Sequence, residues 1–357
     1  MSEESIVDGR AIAAHREALA SAVVQRHFAR HPHLAERYGP QGQQKCYQDA
    51  LYHLLYLSEA VAHSAPSLFR EYVAWAKALL VGLGIPTHDL VQHFRLLKEV
   101  LSEQLDLQVA VVAAEYIEQA LDAFDTLSSD PPTFLRDDMS LHALGRDYLN
   151  ALLTYKRHDA TRLILDAVAG GTPVADVYLY VFQPVLREVG RLWQTNRASV
   201  ALEHYCTAVT QVVMARLSPQ VFAAERIGRT LVATCVGDEL HEIGVRMVAD
   251  FCEMAGWDAL YLGANVPSAS IVKTLVEHRA NVLGVSVTMT AHIPTVTDLI
   301  AAVRAHPDCR QVQVCVGGYP FNLTEGLWRK VGADGYGPDA RTAVDVCNRL
   351  VTTGDRG

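Results

Sequence analysis

The sequence predicts an all-helical front followed by an α/β rear, the rear consisting of a four-helix bundle and then a doubly wound parallel sheet with helices on both faces. Three observations predict it. Apolar residues recur at three- and four-residue spacing from about Ile12 to Leu127, without strand-like alternation. The same period returns from Leu141 to Leu217. From position 229 onward, short β-branched runs alternate with helix-length segments, which is the pattern of a parallel sheet.

In the front, the runs LYHLLYLSEAVA, FREYVAWAKALLVGL, LVQHFRLLKEVL and VAVVAAEYIEQALDAF are separated by Pro- and Gly-bearing breaks at 31–33, 38–42, Ser64-Ala65-Pro66 and 84–87, predicting five or six helices. Ser128 to Thr133 is small, polar and proline-paired, as a linker is. Four helices with short turns follow, punctuated at 156–159, 170–173 and 195–199. Then RTLVATCV, DALYLG, NVLGVSV, QVQVCVGG and DGYG read as five strands. The expected division is a helical domain over 1–130, a linker over 131–140, a bundle over 141–225 and the sheet domain over 226–357.

Composition narrows the function. The 357 residues suit two or three domains, and 31 Lys+Arg against 40 Asp+Glu give a net charge of −9 with no basic block, so no nucleic-acid partner is expected. No apolar run reaches the roughly 18 residues that span a bilayer, and MSEESIVDGR lacks the apolar stretch of a signal peptide. A cytoplasmic protein without a membrane partner is expected. Seven cysteines with no C-x-x-C pair speak against a disulfide framework or a zinc ribbon, and suit buried thiols.

The loop after the first strand, Asp238-Glu239-Leu240-His241-Glu242-Ile243-Gly244, falls at the carboxyl edge of the sheet, where ligands of doubly wound folds bind. There His241 can offer one ring nitrogen to a metal while Glu239 fixes the other. Forty-one residues separate Gly244 from Ser286-Val287-Thr288, and twenty-eight separate Thr288 from Gly317-Gly318. This resembles the cobalamin-binding motif D-x-H-x-x-G, S-x-L, G-G, with Glu239 for Asp and Thr288 for Leu. The resemblance implies a Rossmann/flavodoxin-like domain in which His241 is the lower cobalt ligand. Gly244 would leave room for the displaced nucleotide tail, Ser286 would hydrogen-bond its base, and Gly317 and Gly318 would allow close backbone approach. No G-x-G-x-x-G follows the first strand to favour an ordinary dinucleotide site.

The bundle before such a domain caps the upper face of the corrin. Trp193, nine residues, then Glu203-His204 resembles the W-x(9)-E-H signature of adenosylcobalamin-dependent light sensors, where these side chains pack around the adenosyl group. In the light-sensing repressors a His follows the Trp and captures cobalt after photolysis; here Gln194 stands there, a poor ligand, leaving His204, His158 or His142 as substitutes. Ahead of the bundle, a helical domain rich in Tyr52, His53, Tyr56, Tyr72, Trp75, His88 and His93 looks like a globin-type sensor fold. The whole arrangement resembles the photocobilins, which pair cobalamin with nearby biliverdin. Tyr52, His53, Tyr56, Trp75, His88 and His93 are the candidate bilin contacts, with Cys46 a thioether anchor or a buried thiol; His15, His27, His31 and His33 are expected in solvent. Haem on His88 or His93 is the competing cofactor.

The reading that follows is a non-enzymatic light sensor holding adenosylcobalamin on His241, whose photolysis alters a homo-oligomer or engages a separate effector protein. The alternative is a corrinoid methyl carrier of a methyltransferase system. A cobalamin-dependent isomerase subunit is weaker, because no substrate barrel fits in the remaining residues.

Overall fold

The computed structural model describes residues 9–354, which form two compact units meeting in sequence at Pro131 and Pro132. Among the described residues no helix is long and apolar enough to cross a membrane.

The front unit is helical throughout: a short Arg10–Ala14, then Arg16–Arg30, Pro32–Ala62, Pro66–Gly82, Thr87–Gln104 and Leu107–Asp122. Pro32 and Pro66 each open a helix, where a missing N–H costs nothing. The break expected at 38–42 is instead a kink inside Pro32–Ala62. Gly39 takes φ 61°, ψ −170°, and the preset φ of Pro40 restarts the helix at once. Leu54, Leu57, Phe69, Phe94 and Leu97 fill the core. Lys77 is buried too, its ammonium donating to the carbonyls of Phe124 (2.7 Å) and Leu127 (2.8 Å) and lying over the Phe124 ring.

The second unit begins with the bundle: His142–Leu153, Arg157–Ala169, a third helix, and Val200–Arg216. The third helix runs as Val174–Val177, a π turn Tyr178–Phe182, and Gln183–Gln194. Pro184 cannot donate to its ladder, and the π turn absorbs the lost bond. Ser199 caps the fourth helix by accepting from the N–H of Leu202. Tyr148, Tyr178 and Phe182 are fully buried between the helices, and the Tyr148 hydroxyl pairs with Thr210 Oγ1 at 3.0 Å.

Five parallel strands follow: β1 Thr230–Cys235, β2 Asp258–Gly263, β3 Val282–Ser286, β4 Gln313–Gly317 and β5 Gly335–Tyr336, in the order β2-β1-β3-β4-β5. The five expected strands are all present, and helices Ile243–Met254, Ser268–Glu277, Ile293–Ala305 and Ala340–Gly354 complete the doubly wound layers. The chain reverses direction across the sheet between β1 and β3, so a crevice opens at their carboxyl ends. There Cys235 lies opposite Ser286, and Ser286 opposite Gly317. Bundle and sheet share a core, and the Tyr178 hydroxyl donates to Asp250 on helix Ile243–Met254 at 2.7 Å.

Candidate functional site

At the crevice, β1 runs into a loop pinned by two residues in the left-handed region. Asp238 (φ 65°) gives its N–H to Asn265 Oδ1 at 2.8 Å, while Asn265 (φ 53°) gives its own to the carbonyl of Glu239 at 3.1 Å. Asp and Asn are the non-glycine residues that tolerate this conformation best. The turn drives Glu239 fully inside and leaves His241 half exposed.

Glu239 is the hub of the site. One carboxylate oxygen accepts from the backbone N–H of His241 (3.1 Å) and its Nδ1 (2.5 Å). The other accepts from the N–H groups of Thr288 (2.8 Å) and Met289 (3.1 Å) and from His292 Nδ1 (3.1 Å). Burial alone would push this carboxyl up. The hydrogen bonds from His241, His292 and Met289 outweigh it and hold the group ionised, well below the usual carboxylate range. The same bond raises the pKa of His241 against the cost of desolvation. With Nδ1 committed to Glu239, His241 presents Nε2 outward as the nitrogen that can ligate a metal. One imidazole cannot hold a bare ion, but it suits a metal already carried in a macrocycle.

The glycines divide into two kinds. Gly244 is exposed, and a Cβ built on it would meet only Ser286 Oγ, at 3.7 Å, so it borders an open cradle beside Ser286. Gly318 instead serves the protein's own packing: at φ 105° a Cβ there would lie 1.9 Å from the Val287 carbonyl oxygen. Gly317 is similar, its Cβ position 2.8 Å from the Gly337 oxygen. Thr288 reaches Glu239 through its backbone N–H, a contact that does not depend on which side chain stands there.

Above the loop, helix Val200–Arg216 carries Glu203, Thr207 and Gln211 at successive four-residue steps, on one face. Glu203 accepts from Thr207 Oγ1 (3.0 Å) and pairs with exposed His204 through Nδ1 (2.5 Å). Its charge helps raise the pKa of His241, so the bundle pair and the loop histidine lie within electrostatic reach. Gln211 Nε2 donates to Glu242 Oε1 at 2.5 Å, and Glu242 Oε2 accepts from the Tyr261 hydroxyl (2.8 Å) and the Ala264 N–H (3.1 Å). Trp193 is half-buried and Gln194 buried at the end of the neighbouring helix. Sequence reasoning missed His292, Gln211, Glu242 and Asn265. Each comes from a different element, and no spacing marks them.

In the front unit, Tyr72 gathers part of the expected aromatic set. Tyr56 stacks on it (4.0 Å between ring centroids, 18° between planes), Trp75 overlaps it (6.3 Å, 23°), and its hydroxyl lies 2.8 Å from His53 Nδ1. His93 is buried beside His53 (5.2 Å), with Nδ1 3.8 Å from Cys46 Sγ. Tyr52 and His88 are not gathered: both are exposed, and His88 Nε2 pairs with Asp89 at 2.9 Å. His27, expected in solvent, is buried against His93 (5.4 Å). Cys46 is half-buried, and burial pushes its thiol up to about 12, which removes the reactive thiolate at neutral pH.

Burial pushes His53 down to about 3. A histidine depressed below its unfolded value of roughly 6.5 contributes its full stability above that pH and loses it as the pH falls toward the folded value. Glu59, which burial raises to about 8, acts in the opposite sense, so a variant difference isolates the histidine. Between pH 7 and pH 4 the wild type should lose about 3 kcal/mol relative to His53→Gln, read by denaturant unfolding. A difference independent of pH would mean that His53 titrates as in water.

Comparison with known proteins agrees with this architecture. Models of the B12 binding domain match residues 229–345 and 144–218, and a model described as Phycobilisome protein matches residues 2–124, in keeping with a globin-like helical front. Dimethylamine corrinoid protein 1 of Methanosarcina acetivorans is 27% identical over 218 residues, which are 60% of this chain and 100% of that protein. Dimethylamine corrinoid protein 3 of Methanosarcina mazei is 30% identical over 135 residues, 38% of this chain and 79% of the relative. The solved monomethylamine corrinoid protein of Methanosarcina barkeri shares the fold at 19% identity, with a TM-score of 0.52, covering 60% of this chain and 100% of its own. With a B12 binding sheet domain and helical cap matched and this degree of identity to the dimethylamine relatives, the chain belongs to the family of B12-binding corrinoid proteins.

Proposed function

We propose that the chain is a light sensor that holds adenosylcobalamin on the rear unit and a linear tetrapyrrole, biliverdin, on the front. The observation that carries this reading is the front itself. A corrinoid carrier matched over its full length takes up 60% of this chain, whereas residues 2–124 match a phycobilisome protein model. A methyl carrier has no use for a tetrapyrrole-type domain.

The open cradle at Gly244 and the outward Nε2 of His241 fit a corrinoid bound through this imidazole in place of its own base. Glu239 would orient His241, Ser286 would pair with the nucleotide tail, and Trp193, Glu203 and His204 would enclose the upper ligand. Adenosylcobalamin would supply a cobalt–carbon bond that light breaks. The residues' part is steric and electrostatic: Glu203 and Trp193 would lie against the adenosyl group, and helix Val200–Arg216, which carries Glu203, would be the element whose position its presence or absence biases. Gln211 and Glu242 couple that helix to the His241 loop, giving a ligand-biased two-state element. The output would be a changed assembly of copies or capture of a separate effector. For the front, the stacked rings of Tyr56, Tyr72 and Trp75 would offer aromatic walls, with His53 and His93 behind. Haem is the other tetrapyrrole this chemistry admits, with His93 as the buried imidazole.

The second reading, a corrinoid methyl carrier serving a separate methyltransferase, is the one the named relatives favour over the part of the chain they cover. Trp193→Ala separates the two. Under the sensor reading it weakens adenosylcobalamin binding far more than hydroxocobalamin binding, measured by equilibrium titration, because only the former places a nucleoside against the indole. Equal losses for both would make Trp193 ordinary packing and favour the carrier.

A further inference from the structure

Two rows of rings in the front unit meet at one phenol. On one side of Tyr72 lie Tyr56 and Trp75, the latter 37% exposed. On the other side, His53 Nδ1 sits 2.8 Å from the Tyr72 hydroxyl, and behind it follow His93, His27, His31 and His33, at centroid separations of 5.2, 5.4, 5.5 and 6.0 Å, ending at the exposed His33. Packing accounts for the stacked aromatics. It does not account for imidazoles threaded through an apolar core, where His93 Nε2 and His27 Nδ1 are buried without a hydrogen-bond partner among the described residues. Each unpaired nitrogen carries a desolvation cost that a phenylalanine would not.

We propose that Tyr72 and His53 form a redox-active pair that supplies an electron, through Trp75, to a one-electron oxidant of the photoexcited conjugated-ring class docked at the exposed edge of Trp75. The oxidant removes one electron from the indole, and Tyr72 refills it. As it does so the phenolic O–H bond breaks and the proton passes to His53 Nδ1. The products are a neutral tyrosyl radical, a protonated imidazole and an oxidant reduced by one electron; return of the electron and proton restores the pair.

Burial supports each half. It holds the Tyr72 phenol protonated, well above its ordinary pKa, so oxidation must be accompanied by proton loss. It also keeps His53 neutral, and at 2.8 Å its Nδ1 accepts from the Tyr72 hydroxyl in the tautomer that carries its proton on Nε2. The histidine row then offers the proton a path, each ring taking it on one nitrogen and releasing it from the other. The two unpaired nitrogens mark where a bridging water would complete that path. The radical is uncharged, and the positive charge left by the lost electron resides on the protonated His53, with Asp49 near the Tyr72 side of the cluster and Glu71 and Lys77 on the Trp75 helix.

The proposal names the oxidant's class from the tetrapyrrole reading, but its test needs no tetrapyrrole, so the two fail separately. The full chain, with neither corrinoid nor bilin added, is oxidised by flash-generated ruthenium tris-bipyridine(III) with persulfate as the sacrificial acceptor, and radicals are read by electron paramagnetic resonance. Wild type should give a neutral tyrosyl radical whose formation slows in D₂O. Tyr72→Phe should lose that signal in favour of a tryptophan radical, and Trp75→Leu, at a partly exposed position, should reduce the tyrosyl yield without disturbing the fold. His53→Gln should abolish the D₂O effect. An undiminished tyrosyl yield in Tyr72→Phe overturns the proposal. So does a wild-type yield in Trp75→Leu, which decides the matter even where Tyr72→Phe fails to fold.

Discussion

Gly318→Ala should cripple the sheet domain, while Gly244→Ala should leave it standing. At Gly318 an added Cβ falls 1.9 Å from the backbone oxygen of Val287 and must also adopt φ 105°, so neither rotamer nor side-chain movement relieves it. The expected cost exceeds about 4 kcal/mol, a fall in Tm on the order of 10 °C for a unit of this size, or failure to fold. At Gly244 the same methyl meets only Ser286 Oγ at 3.7 Å. Thermal unfolding should barely register it, whereas corrinoid affinity should drop as the cradle fills. Equal Tm values for wild type and Gly318→Ala would mean that β4 can retreat from Val287.

His241→Ala should remove the lower ligand outright. Nothing else on the loop offers an imidazole pointing outward, since the neighbouring His292 is tied by Nδ1 to Glu239 and lies mostly buried. Bound corrinoid should then show the absorption of a base-on or water-ligated form, and affinity should fall by more than the roughly 10- to 100-fold that loss of an outer partner costs. Glu239→Gln should fall within that smaller range. An amide cannot accept on both sides as the carboxylate does, so one of the donors from Thr288, Met289 or His292 faces an N–H instead. A His241→Ala protein with the wild-type spectrum would remove the histidine from the metal.

Much of this was legible because period and composition change sharply along the chain. β1, β3 and β4 announce themselves as β-branched runs buried on both faces, the part-buried edge strand β2 is marked by its apolar run between Asp258 and Gly263, and even the two-residue β5 is marked by its flanking Gly and Asp. What could not be read is what topology alone assembles. Glu239 was recognisable as a partner of His241 two residues away. Its role as a five-donor hub depends on Thr288, Met289 and His292, about fifty residues on, brought back by the β1–β3 adjacency. The Gln211–Glu242 contact likewise joins two helical and loop segments with no shared motif. Pro40 misled because a proline inside a helical pattern reads as a stop, whereas Gly39 supplied the one conformation that lets the helix resume. In the front, His27 looks like a surface residue by type, and only the crossing of helices Arg16–Arg30 and Thr87–Gln104 places it against His93.

The most direct measurement is the absorption spectrum of the purified chain loaded with adenosylcobalamin, taken before and after green light, with sedimentation of both samples. The sensor account predicts loss of the adenosylcobalamin bands on illumination together with a change in sedimentation. With biliverdin also bound, red light that the corrinoid does not absorb should drive the same loss. A spectrum that bleaches with no change in assembly or partner binding, and a chain that accepts and donates methyl groups with a corrinoid methyltransferase, would contradict it.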